Sequence, residues 1–212
     1  MGMWLKSLVT GELKVNCYLL ACTETRQALV IDPGGEGRRI LEILRENDFT
    51  LKMVINTHGH FDHVGANRTL LEATGAELLL HRADAAILRG APDHAAMFGC
   101  RPIDPSPEPT RFLEDNEEVI LGELRLKVLH VPGHSPGGIC LLADGRLFSG
   151  DTLFAGSIGR TDLPSGDQAA LMRALRDRVL TLPDETLVYP GHGPETTIGH
   201  ERRHNPFLRY IV

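Results

Sequence analysis

Four apolar runs in this chain each end in a glycine-containing turn that carries a histidine or an aspartate, and the fold is constrained by where those four tips go. Residues 52–56 lead into Thr57-His58-Gly59-His60-Phe61-Asp62-His63, an H-x-H-x-D-H segment. Residues 126–131 lead into Pro132-Gly133-His134, residues 146–148 into Ser149-Gly150-Asp151, and residues 187–189 into Pro190-Gly191-His192. Imidazole nitrogen and carboxylate oxygen suit zinc, iron or manganese, and the alternating spacing of the first segment lets two pairs of ligands face two neighbouring positions. A histidine after Pro-Gly is by itself an ordinary turn residue; beside the first segment, the three later tips become candidate ligands. His58, His60, Asp62, His63, His134, Asp151 and His192 are therefore the expected ligands of two divalent metal ions, zinc first, with iron or manganese as alternatives.

The remaining pattern is that of an α/β chain. Short runs at residues 15–21, 28–31 and 77–80, with 52–56, predict strands bounded by turn residues. Residues 37–46, 64–73 and 168–180 place apolar side chains on one face and predict amphipathic surface helices. Residues 91–111 hold Pro102, Pro105, Pro107 and Pro109 with no clean periodicity, which predicts a loop or lid. Strands are expected again at 119–121, 124–129, 139–142, 147–148 and 187–189, then a short terminal helix. With no repeat and no linker, residues 1–212 are expected to form one domain of sheet packed on sheet with helices outside.

A chain of 212 residues buries roughly 70% of its unfolded surface, so a metal here calls for a functional rather than a structural explanation. Lys+Arg 22 against Asp+Glu 28 leaves a net charge of −6, and the densest basic run, residues 201–204, begins with Glu201. Nucleic acid is not expected as a partner. Cys17, Cys22, Cys100 and Cys140 form no Cys-x-x-Cys pair and read as buried free thiols. Lys6, Glu12 and Lys14 interrupt the first apolar stretch, so neither a signal peptide nor a membrane partner is expected, and a cytoplasmic location is.

From Ile31-Asp32-Pro33-Gly34 through the H-x-H-x-D-H segment to Gly191-His192-Gly193-Pro194, the sequence resembles the metallo-β-lactamase-fold hydrolases. The resemblance implies a four-layer αββα sandwich with the site at one edge of the paired sheets. It implies that His58, His60 and His134 hold one metal, Asp62, His63 and His192 the second, and that Asp151 bridges both. Gly150-Asp151-Thr152-Leu153-Phe154 and Gly159-Arg160-Thr161-Asp162 are most similar to the short type II glyoxalases, hydroxyacylglutathione hydrolases whose substrate is S-lactoylglutathione. By resemblance to the longer type II glyoxalases, Arg160 takes the place of a basic residue that contacts a glutathione carboxylate, while Asp162 stands where an aromatic hydroxyl is expected.

The implied activity is thioester hydrolysis by a hydroxide shared between the metals, oriented by Asp62 as the catalytic carboxylate. Asp32 is expected either to accept the second ring N–H of a ligand histidine and hold the metal loop, or to serve only its turn. Arg202, Arg203 and Asn205 read as a solvated helix face, with the substrate mouth as the alternative. His81, His94, His130, His200 and His204 have no ligand-like spacing. Two rivals remain: a glutathione persulfide dioxygenase, which also carries Gly-Arg-Thr-Asp but uses a single iron, and a non-catalytic metal-binding protein.

Overall fold

The structure, a computed structural model, describes residues 2–209. Its first sheet contains β1 (Met3–Thr10), β2 (Val15–Cys22), β3 (Gln27–Ile31), β4 (Thr50–Ile55), β5 (Glu77–His81) and β6 (Arg111–Leu113), side by side in chain order. β1 to β3 form an antiparallel meander, whereas β3 to β6 are parallel. Parallel neighbours need crossovers, and helices supply them. These are α1 (Gly37–Glu46), then α2 (Phe61–Val64) with α3 (Asn67–Thr74), then α4 (Ala85–Arg89) with α5 (Ala91–Met97).

The second sheet comprises β7 (Glu118–Leu121), β8 (Leu124–His130), β9 (Ile139–Ala143), β10 (Arg146–Gly150), β13 (Leu187–Pro190) and β14 (Thr196–Thr197), ordered β14-β13-β10-β9-β8-β7. Between β10 and β13 lie the hairpin β11 (Leu153–Phe154) and β12 (Ser157–Ile158), and α6 (Gln168–Ala174), which widens into a π-helical turn over Leu175–Val179. The last helix is α7 (Ile198–His204). Among the described residues, no helix is long and apolar enough to cross a membrane.

Strand periodicity sorts the side chains into layers, because successive residues face opposite sides of a sheet. In β2, Cys17, Leu19 and Ala21 pack with Ile40, Leu44 and Leu70 of the outer helices. Tyr18, Leu20 and Cys22 face the other way, into a core shared with Leu126, Val128, Leu141 and Phe148 of the second sheet. Across that sheet, Leu129, Cys140, Leu147 and Val188 meet Leu171, Leu175 and Val179 of α6 and its extension. The result is the expected αββα sandwich.

Three elements depart from the sequence expectations. Residues 91–111 are not one loop, because Ala91–Met97 is helical and Arg111–Leu113 adds a strand to the first sheet. Pro92 sits in the first turn of α5, where its missing N–H costs nothing, and Ala91 and Ala95 bury one narrow stripe. The helix expected over 64–73 is two, α2 and α3, separated at Gly65-Ala66. β1 carries no clear strand pattern in the sequence because it is an edge strand on which only Leu8 and Thr10 are buried. Among the cysteines, Cys17, Cys22 and Cys140 are buried free thiols, and Cys100 is half-buried and free.

Candidate metal centre

All four tips meet at one edge of the sandwich. The first sheet contributes the loop after β4 with His58, His60, Asp62 and His63; the second contributes His134 after β8, Asp151 at the end of β10 and His192 after β13. The ring centroids of His58, His60 and His134 form a nearly equilateral triangle of 4.7–4.8 Å sides, each pair edge to face. Beside it, His192 Nε2 lies 3.2 Å from Asp62 Oδ2, and His63 Nε2 lies 3.6 Å from the same oxygen. Asp151 stands between the two groups: Oδ1 is 3.4 Å from His63 Nε2, and Oδ2 is 3.6 Å from His134 Nε2 and 3.7 Å from His192 Nε2.

The backs of the rings are held so that one nitrogen of each faces inward. His134 Nδ1 lies 2.8 Å from the Arg160 carbonyl, which can only accept, so this nitrogen carries the proton and Nε2 presents its lone pair. Asp32 accepts from the Thr57 amide and hydroxyl, both at 2.7 Å. With its hydroxyl proton committed there, Thr57 Oγ1 accepts from His58 Nδ1 at 3.1 Å, which frees His58 Nε2. Asp32 Oδ2 also lies 3.1 Å from His63 Nδ1, close enough for charge attraction although misaligned for a hydrogen bond. Asp32 thus lies behind two rings of the loop, directly for His63 and through Thr57 for His58.

Electrostatics divide the cluster. Burial, followed by the neighbouring imidazoles, pushes His58 well below its ordinary pKa and His60 down to about 4. Burial acts the same way on His63, but Asp62, Asp151 and Asp32 outweigh it and raise that ring well above its ordinary value. Burial alone would raise Asp151; His63, His134 and His192 outweigh it and hold the carboxyl well below the usual range.

Whether the donor set fits a cation can be judged from its inner atoms. His58 Nε2, His63 Nε2 and Asp151 Oδ1 are buried without a hydrogen-bond partner, and each such group ordinarily costs about 1–3 kcal/mol. Three sets of inward atoms, from His58/His60/His134, His58/His63/Asp151 and Asp62/His63/His192, lie within 4.8 Å of one another. His60 Nδ1 and His134 Nε2 are 3.0 Å apart, close to the ~3.3 Å between two ligands ~2.0 Å from one tetrahedral ion. The residues fit divalent cations in both positions.

Two glycines are needed for room rather than for turning. A Cβ on Gly191 would lie 2.2 Å from Asp151 Oδ1 and 2.9 Å from His63 Cε1. One on Gly59 would lie 2.8 Å from the Leu88 amide nitrogen and 2.9 Å from the Asp84 carbonyl. Asp84, which the sequence did not single out, is fully buried and bridges the sheets' loops: Oδ2 accepts from the Gly59 amide at 2.9 Å and Oδ1 from the Gly137 amide at 2.5 Å. Its only local signal is that of an acid before a helix, which describes many surface positions.

The cluster opens into a cavity of about 580 Å³. Arg160 lines it, with the guanidinium half-exposed and engaged bidentately with Asp162 at 2.8 Å. Of the other histidines only His94 reaches this cavity; His81 stacks on His130 at 4.1 Å, and His200 adjoins His204 at 4.9 Å, both away from it. Arg202 and Arg203 pair with Asp184, and the Asn205 amide donates to the Ser157 carbonyl, so this end of the chain is structural.

Known proteins of this shape place the chain. Hydroxyacylglutathione hydrolase GloC of Haemophilus influenzae is 40% identical over 196 residues, covering 91% of this chain and 92% of that protein. The structure of TTHA1623 in a di-iron-bound form superposes with a TM-score of 0.88 at 41% identity, over 96% of this chain and 100% of that one. That of the BLEG-1 B3 metallo-beta-lactamase gives 0.91 at 35% identity, over 97% and 100%. The profile of the metallo-beta-lactamase superfamily matches residues 10–192, and the chain belongs to that superfamily of metallo-hydrolases.

Proposed function

We propose that this protein is a metal-dependent thioester hydrolase of the hydroxyacylglutathione hydrolase type, with an S-acylglutathione such as S-lactoylglutathione as substrate. The observation that carries the reading is the buried, unpartnered inner face of the histidine and aspartate cluster, opening into a cavity of small-molecule size. His58, His60 and His134 would hold one divalent ion, Asp62, His63 and His192 a second, with Asp151 between them. Such ions supply Lewis acidity and acidify water to near neutrality.

The chain's own residues do the rest. Asp62, beside His192 and lining the cavity, orients the attacking water by accepting its hydrogen bond. His63 and His192 keep that carboxylate charged against its burial, which otherwise favours the neutral acid. Arg160 offers a cation to an anionic end of the substrate, in exchange for its contact with Asp162. Thiolate departs without a protein acid, and none is needed for so weak a base.

The Pro190-Gly191-His192-Gly193 turn favours this reading over a one-iron persulfide dioxygenase, a relative that keeps the H-x-H-x-D-H segment but has alanine before the last histidine. The 40% identity to GloC supports the thioester, and the likeness to BLEG-1 makes a β-lactam the natural control substrate. Metal-loaded protein should hydrolyse S-lactoylglutathione, and His58→Ala and Asp62→Ala should each abolish turnover, with metal content falling in the first. Oxygen uptake on glutathione persulfide without thioester hydrolysis would transfer the assignment to the dioxygenase. Full metal content with no turnover of thioester, β-lactam or persulfide would leave a binding protein.

A further inference from the structure

Exposed large apolar side chains are few among the described residues, and the most exposed of them, Met97, lines the cavity. Among the described residues they are Val9, Leu13, Met97, Phe98, Ile120, Leu187 and Phe207, and three of these, Leu13, Met97 and Phe98, line the cavity above the candidate metal ligands. Met97 is 82% exposed and Phe98 54%. A folded chain keeps such groups in water at a cost unless something covers them, so three of them converging on one cavity wall mark a ligand surface. Ile87 of α4 extends the wall, and Phe98 is braced from behind by Phe61, ring centroids 5.6 Å apart, next to Asp62 in sequence.

The charges of the same cavity lie elsewhere. Apart from the candidate ligands, its lining offers one cation, Arg160, on the segment after β12, where Asp162 already neutralises it. An anionic group of the substrate therefore goes to Arg160, and the α4–α5 side offers only the His94 imidazole among apolar side chains. We infer that the wall formed by Leu13, Ile87, Met97 and Phe98 is an acyl subsite, and that the preferred substrates are thioesters of apolar acyl groups, larger than lactoyl, with any carboxylate on the thiol half directed to Arg160. This rests on the thioester hydrolase reading and narrows it: specificity is set by the acyl half through burial, and the glutathione peptide is dispensable.

The test is a series of acetyl, butyryl and hexanoyl thioesters, each made on N-acetylcysteamine and on glutathione, with the metal-loaded protein. Burial of a methylene changes affinity by up to about fourfold, so kcat/KM should climb at least about tenfold from acetyl to hexanoyl, mainly through KM, and on both thiols. Met97→Ser combined with Phe98→Ser should flatten the climb, and both side chains are exposed enough for the protein to fold. A flat series overturns the acyl subsite while leaving the hydrolase in place. A climb seen only when the alkyl chain is moved to the thiol half also overturns it.

Absence of turnover on every thioester would remove the hydrolase reading instead, and calorimetry then decides the subsite separately. The stable thioethers S-methyl- and S-hexyl-N-acetylcysteamine should differ at least about tenfold in affinity, with a negative heat-capacity change for the longer one. Equal affinities overturn the inference.

Discussion

On the floor of the cavity His58, His63 and His134 are buried, each held from behind by Thr57, Asp32 or the Arg160 carbonyl; on its helical wall Met97 and Phe98 stand in water, steadied by Phe61 and by the ion pair of Arg101 with Glu12. The floor draws its parts from both sheets and leaves no room for an added methyl group. The wall comes from α4, α5 and Phe98, completed by Leu13 of the β1–β2 turn. Chemistry that depends on ångström placement sits on the first kind of structure, and discrimination between substrates, which tolerates adjustment, sits on the second.

The sharpest way to break this contrast is Gly191→Ala. Its new Cβ would displace Asp151 and His63, and misplacement of that size costs on the order of 100-fold in rate, so kcat should collapse while KM for a bound thioester changes little. Asp84→Ala strips two buried amides, those of Gly59 and Gly137, of their acceptor. Unfolding of the metal-free protein in urea should show a loss of about 2–5 kcal/mol, and an unchanged midpoint would mean that the two loops hold each other without it. Asp32→Ala removes what orients His63 and Thr57; titration against a competing chelator should show metal affinity weakened about 10–100-fold.

The smallest effect belongs to the wall. Arg101→Ala cuts an exposed ion pair and should leave the melting temperature unchanged, yet speed amide hydrogen exchange over residues 98–104 and raise KM rather than lower kcat. Hydrogen bonds from Arg101 hold Glu12 below its ordinary carboxylate value of 4.5, so the contact is intact above that value and is lost as the pH falls beneath it. Faster exchange in wild type at acid pH, absent from Arg101→Ala, would confirm which contact steadies the wall. A kcat loss in Arg101→Ala equal to that of Gly191→Ala would erase the distinction.

The same contrast separates what the sequence reveals from what it hides. The convergence of the seven candidate ligands was legible because metal-binding chemistry restricts residue type, and because the four tips that carry them each follow an apolar strand, a local pattern. The layering was legible for the same reason, since β2 alternates between two cores along six consecutive positions, Cys17 to Cys22. Asp84 and Thr57 were hidden because their work is done against the backbone of Gly137 or the carboxylate of Asp32, partners 53 and 25 positions away, and no spacing rule records such meetings. α5 was hidden by its prolines and by a buried stripe only two alanines long, and with it went the helical wall of the cavity.

One tie between the sheets has a consequence for how the candidate site is held closed. The Tyr18 hydroxyl donates to the Pro190 carbonyl at 2.7 Å, and the Asn16 side chain donates to Pro190 and Gly193 at 3.0 and 2.9 Å, so a strand of the first sheet grips the loop that carries His192. Tyr18 is wedged against Phe148 and Tyr189 in the layer between the sheets. That layer works as a caliper whose jaws are the first sheet's loop and the three tips of the second sheet: its thickness, fixed by three aromatic rings, sets how closely His58 and His60 approach His134.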